Sequence, residues 1–391
     1  MVLRVLAAMI LAVLAAVSGV PAQADPFQPL APSVLLIDAA SGSTLLARNI
    51  DTPAEPGAMT KLVTLAALAE ALKAGELQLD TAYPVTENAW RKGGAPSGGP
   101  TMFAALKSTI AVSDLLRGLA VQAGNDACII LAEGLDGSQE KFAARMTALA
   151  KRIGMAHSTF RNATGAAEPG QVSTLQDIAR VLAFLIESQP QSYALLGEPV
   201  FTWNKIRQTN RNPLYTANLG VDGGMAAGSE ATSFGLAVSA KRGDQRLILV
   251  MQGLKSTKER NDEAKRILDW AFTSFKSRQL FASGETIGTA RVFGGEAWRV
   301  ELTADKPVSV LARSDGPEIL EARIVYDGPV PAPVRKGVRI GHLVVTRDGT
   351  PCLDEPLFAA SDIAVGGMTR RALDAIYEIG VGLVRGERQS E

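Results

Sequence analysis

The chain has 391 residues, 40 Lys and Arg against 40 Asp and Glu, and 47% hydrophobic residues. That length supports one large core and a smaller one, so two folded domains are expected, and the absence of net charge excludes an electrostatic nucleic-acid binder. With two histidines and two cysteines in all, there is little material for a metal site, a serine–histidine dyad or a disulfide framework. No metal or organic cofactor is indicated. Cys128 and Cys352 read as buried, unpaired thiols, and His157 and His342 as surface or packing positions.

Arg4, an apolar run from about Val5 to Val17, and Ala22-Gln23-Ala24 before Asp25 read as a secretory signal over residues 1–24. The run is short for a bilayer span. Pro32 to Asp38 and Thr44 to Arg48 then form a predicted hairpin around Ser41-Gly42-Ser43. It leads into the stretch Gly57-Ala58-Met59-Thr60-Lys61-Leu62-Val63-Thr64, which opens an apolar helix with Leu62, Leu65, Ala69 and Leu72 at helical spacing and Gly75 as its stop. Ala58 and Lys61 share one face of its first turn.

Residues 86–101 are rich in Gly and Pro and are expected to be a loop, with Trp90, Arg91 and Lys92 as candidates to line a groove or a solvated turn. Ser113 is the expected N-cap of a helix to about Ala123. After Gly124-Asn125-Asp126 a second helix runs through Glu133, and Asn125 either caps this corner or faces a cleft. Helices follow from about Ser138 to Arg152 and from Ser173 or Thr174 to Glu187, separated by a turn at Phe160 to Gly165. Phe201 to Gly228 reads as irregular. A hairpin of Phe234 to Ala240 and Arg246 to Gln252 and a helix from Lys258 to Phe275 complete an antiparallel sheet covered by helices. Residues 25–280 are assigned to this first domain.

From Glu285 to Asp362 short strands around 290–293, 298–302, 323–326 and 342–345, with a Pro-rich link at Pro329 to Pro333, define a small β domain. Residues 366–386 return to helical period, with Ala372, Ile376, Ile379 and Leu383 on one stripe and arginines near both ends. An amphipathic helix of this kind is expected on an anionic membrane surface, the alternative being packing on its own protein.

In this order the features are similar to those of the D-alanyl-D-alanine carboxypeptidases of the low-molecular-weight penicillin-binding protein class. The resemblance rests on Ala31-Pro32-Ser33, Met59-Thr60-Lys61-Leu62, Glu87-Asn88-Ala89-Trp90, Gly124-Asn125-Asp126-Ala127, Asn162-Ala163-Thr164-Gly165, Phe201-Thr202-Trp203-Asn204, Asn210-Arg211-Asn212-Pro213-Leu214 and Val221-Asp222-Gly223. It implies an α+β fold of the penicillin-binding/β-lactamase-like type, a following β domain, and a terminal helix on the outer face of the cytoplasmic membrane. It also implies a site built from Ser-x-x-Lys, Ser-x-Asn and Lys-Thr-Gly motifs. Here the nucleophile position is Ala58, with Lys61 retained; the proton-relay position is Ala123, with Asn125 retained; and Met225, Ala226 and Ala227 stand at the Lys-Thr-Gly position.

Loss of a serine nucleophile alone costs on the order of 10⁶ in turnover. Thr60 lies two residues on and points about 200° away from Ala58 on a helix, so it does not replace the hydroxyl. Ser229 and Thr232 are candidates only in a reorganised cleft. The expectation is therefore an exported, nucleophile-less family member at the cell wall that at most binds peptidoglycan or a partner protein. An active carboxypeptidase with a rearranged site, and a module that binds a partner through its β domain, are the alternatives; a β-lactamase would further require a deacylating base.

Overall fold

The computed structural model describes residues 27–229, 233–314 and 317–374. In chain order it contains β1 (Ser33–Asp38), β2 (Thr44–Arg48), α1 (Thr60–Lys73), β3 (Ala82–Pro84), α2 (Glu87–Gly93), β4 (Thr109–Ala111), α3 (Val112–Gln122), α4 (Asn125–Asp136), α5 (Gln139–Arg152), α6 (Leu175–Ser188) and α7 (Pro190–Leu195). The hairpin β5 (Val200–Trp203) and β6 (Ile206–Thr209) precedes β7 (Val221–Ser229), β8 (Ser233–Arg242), β9 (Gln245–Leu254) and α8 (Thr257–Ser274). The last part holds β10 (Phe275–Phe281), β11 (Thr286–Phe293), β12 (Arg299–Thr303), β13 (Val308–Arg313), β14 (Leu320–Tyr326), β15 (Val330–Pro331), β16 (Arg339–Arg347) and β17 (Thr350–Ala359).

The organising sheet is antiparallel, in the order β2-β1-β9-β8-β7. Alternation along its strands feeds two cores. Leu35, Ala237, Ile248 and Val250 face the helices α1 to α7, while Leu36, Val238, Leu249 and Met251 face Ala264, Ile267, Leu268 and Ala271 of α8. Each such Leu, Ile or Val side chain taken from water contributes about 1.5–3 kcal/mol. A third core, including Val292, Val300, Leu302, Val345 and Leu357, lies in the six-stranded sheet β14-β16-β17-β12-β11-β15. Arg347 links the two sheets, donating to the Thr44 carbonyl at 2.7 Å.

Helix α1 is buried on nearly every side, from Thr60 through Ala69 and at Ala71, so it is the axis of the helical layer rather than an amphipathic cover. It ends as expected at Gly75, whose N–H bonds the Leu72 carbonyl at 3.1 Å while that of Glu76 bonds Ala71 at 2.9 Å, a Schellman pattern with Gly75 at φ 74°. Its other end is seated on the turn at Asn162 to Gly165. A Cβ on Gly165 would fall 1.9 Å from the Gly57 carbonyl oxygen.

Several expectations need correction. Residues 86–101 are not one loop: Thr86 caps α2 by accepting from the Ala89 N–H, Ala89 is buried, and the Gly-rich part begins only at Gly93. Trp90 is half-buried against the helical core, and Arg91 pairs with Glu87 at 2.7 Å. Ser113 does not cap α3, because the Val112 and Ser113 N–H groups bond the Thr81 and Leu79 carbonyls of the preceding segment and the helix starts from Ala111. The stretch 201–228 is not irregular; it holds β5, β6 and β7, the last being glycine-rich and so invisible to an alternation test. The β region also has more and longer strands than expected, and part of the Pro-rich link is β15, parallel to β11. Cys128 and Cys352 are buried and unpaired. The segment read as a signal and Thr232 lie outside the described residues, as does most of the terminal helix; its beginning, 368–374, packs on the β sheet with buried Asp374 accepting from the Gly294 N–H at 2.8 Å.

The seat of α1 yields a contrast. Gly75→Ala meets open space and should lower stability by about 1–2 kcal/mol for its left-handed backbone. Gly165→Ala adds a backbone clash and should cost at least twice that, or prevent folding, in urea titrations.

Candidate active site

A 3₁₀ turn, Gly57–Met59, precedes α1. Residues three apart eclipse in such a turn, which sets Ala58 and Lys61 on the same side. Ala58 is half-buried and Lys61 is 2% exposed. Lys61 Nζ donates to the Thr164 carbonyl at 2.7 Å, and Thr64 Oγ1 donates to that of Ala163 at 2.7 Å. Asn162 shapes the receiving turn: its Oδ1 accepts from Thr164 N, Thr164 Oγ1 and Gly165 N at 3.1, 3.1 and 2.8 Å. Burial pulls the Lys61 pKa below the ordinary lysine value; the thiol of Cys128 opposes the shift and the charge of Arg211 adds to it.

Ala123 ends α3 in a left-handed conformation, φ 49°, and is 5% exposed. Gly124, not Asn125, is the N-cap of α4. The Asn125 N–H bonds the Pro100 carbonyl at 2.8 Å, and among the described residues its half-buried carboxamide has no hydrogen-bond partner; a Cβ on Gly99 would lie 3.0 Å from its Nδ2. Asn125 is thus a presented side chain rather than a corner cap. Cys128, three residues along α4, lies within electrostatic reach of Lys61 and has its pKa pushed up to about 12 by burial.

The third segment lies on edge strand β7, beside the 3₁₀ turn. Met225 and Ala227 are 3% and 5% exposed and belong, with Met59 and Ala123, to the core of the helical layer, while Ala226 is half-buried towards α8. The fold therefore sets Ala58 and Lys61 beside the strand that carries residues 225–227, with Ala123 in the same core as Met225 and Ala227. The only hydroxyl of the first turn, on Thr60, is fully buried. Nothing is described of the Ser229 side chain.

Two supports escaped the sequence reading. Arg260 of α8 is 6% exposed and donates to the Ala227 carbonyl at 2.9 Å, and burial lowers its pKa. Beneath the start of β7, Asp222 accepts from Arg246 at 2.7 and 3.0 Å and from the Tyr193 hydroxyl at 2.7 Å, and burial pushes that phenol's pKa up. Arg260 lies in a run of charges on α8 that has no sequence signal separating it from solvated neighbours; only the strand it reaches reveals its place.

The architecture is a penicillin-binding-protein-like fold carrying a C-terminal β domain. The profile of the family described as D-alanyl-D-alanine carboxypeptidase matches residues 20–256, and that described as penicillin-binding protein 5, C-terminal domain, matches 275–365. The D-alanyl-D-alanine carboxypeptidase DacC of Escherichia coli (strain K12) is 35% identical over 354 residues, covering 88% of both chains. DacF of Bacillus subtilis (strain 168) is 30% identical over 342 residues, or 86% of this chain and 87% of that one. Penicillin binding protein 5 from Haemophilus influenzae superposes with a TM-score of 0.75 at 31% identity, over 87% of this chain and 99% of the other. The chain belongs to the D-alanyl-D-alanine carboxypeptidase family, whose substrates are the stem peptides of peptidoglycan.

Lys61→Met would leave the buried Thr164 carbonyl unpaired and should cost about 1–3 kcal/mol. Since the folded amine loses its proton at lower pH than the unfolded one, the unfolded chain holds more protons between those values. The stability of the wild type relative to Lys61→Met should therefore rise with pH up to about 10.4 and fall as pH drops through the folded value, as read from urea midpoints at several pH values.

Proposed function

We propose that the protein is a nucleophile-less member of this family, a pseudoenzyme of the cell wall that binds peptidoglycan or a partner without turning it over. The observation that carries this reading is an alanine, Ala58, one turn before the buried Lys61 at the start of the central helix. A base held ready with no hydroxyl to deprotonate cannot begin acyl transfer. Ala123 removes the proton relay as well, and Met225 and Ala226 replace the cation and hydroxyl that would hold a terminal carboxylate.

Because residues of one catalytic unit are not additive, the first loss suffices, at about 10⁶ in turnover. Lys61 and Asn125 are the surviving members of the proposed site. A fully buried Thr60 hydroxyl offers no substitute. Export through residues 1–24, a periplasmic location and attachment to the membrane surface through residues 366–386 belong to the same proposal and rest on sequence pattern. The β domain is the proposed surface for a protein partner.

Release of D-alanine from a pentapeptide ending in D-Ala-D-Ala is the test. The mature protein should give no release above an enzyme-free control, and release at the rate of an active relative would overturn the reading.

A further inference from the structure

One buried carboxylate grips the segment after the glycine-rich loop. Asp126, 0% exposed, accepts from Thr101 Oγ1 at 2.6 Å, from the N–H groups of Met102 and Ala104 at 3.0 Å each, and from its neighbour Ala127 at 2.9 Å. With both flanking N–H groups converging on one acceptor, the residue between them turns outward. That residue is Phe103, at φ 65° and 43% exposed, its own N–H bonded to Thr101 Oγ1 at 3.0 Å. A left-handed backbone costs a bulky L residue about 1–2 kcal/mol, and glycine would adopt it freely. The chain thus spends backbone strain to hold an aromatic ring in solvent.

The same rim continues onto the β5–β6 hairpin. Gln208 Nε2 donates to the Met102 carbonyl at 3.2 Å, docking β6 beside Phe103. Two residues nearer the hairpin tip, on the same strand face as Gln208, Ile206 pairs with Trp203; Ile206 is 40% exposed and Leu106 37%. Lys205, Arg207 and Arg211 are exposed along this hairpin and its exit, and no acidic residue occurs between Trp203 and Arg211. An aromatic face with apolar neighbours suits the CH face of a pyranose ring, and the cations suit carboxylates.

We propose that Phe103, with Ile206, forms a stacking platform for peptide-free glycan strands of peptidoglycan, whose lactyl carboxylates are exposed once the stem peptide is gone, so that the rim reads sugar rather than peptide. The choice of polymer rests on the cell-wall reading above; the platform itself rests on the strained, exposed ring and its basic surround.

Retention of the full mature chain on amidase-released, peptide-free glycan strands coupled to beads through their reducing ends, beside uncoated beads, tests this. The wild type should be retained on the glycan beads, Phe103→Tyr should behave like it, and Phe103→Gly should bind at least fivefold more weakly with an unchanged or raised thermal midpoint. A Phe103→Gly protein that binds as well as the wild type overturns the proposal. So does one whose binding and midpoint fall together, since the ring would then be structural, and so does binding to intact peptidoglycan with none to the peptide-free strands. D-alanine release, measured separately, would end the nucleophile-less reading without touching this result, and a failure here leaves that reading intact.

Discussion

A buried lysine side chain bonded to a backbone carbonyl ties the centre of this molecule together. Lys61 begins the central helix, and the carbonyl it reaches, on Thr164, belongs to a turn 103 residues later. Taking an amine out of water costs free energy that a single hydrogen bond does not return in full. The tie persists because the turn is over-determined on its own side: Asn162 accepts three hydrogen bonds within it, and Gly165 lies against Gly57 with no room for a side chain. Lys61 thus has structural work that needs no hydroxyl at position 58.

The same logic extends to the strand opposite. Met225, Ala227 and Ala123 are packed into the helical core, so all three contribute apolar burial. Asp126, Arg246 with Asp222, and Arg260 meanwhile hold the loops and the edge strand that frame the region. A polar network of this kind fixes backbone geometry whether or not chemistry follows, because every buried carboxylate or guanidinium must find partners. The fold of the carboxypeptidase family is present, and these buried polar contacts hold it in shape.

The hairpin of β8 and β9 and helix α1 with its glycine stop were legible because periodicity and capping act locally. Helix α2 was not, since the glycines that follow it masked a Thr86 cap and a buried Ala89. Strand β7 was hidden for a related reason: Gly223, Gly224, Ala226 and Gly228 carry almost no side chain on which alternation could be read. Arg260 and the Asp126 clamp depend on contacts between distant segments, and no local pattern separates a buried charge from a solvated one.

Intact mass spectrometry of the mature chain after incubation with a labelled penicillin, run beside Ala58→Ser, tests the central claim most directly. The account predicts no adduct on the wild type and a single adduct on the variant, carried by the restored hydroxyl next to Lys61. A stable adduct on the wild-type chain would contradict it, because another nucleophile would then be at work in the same frame.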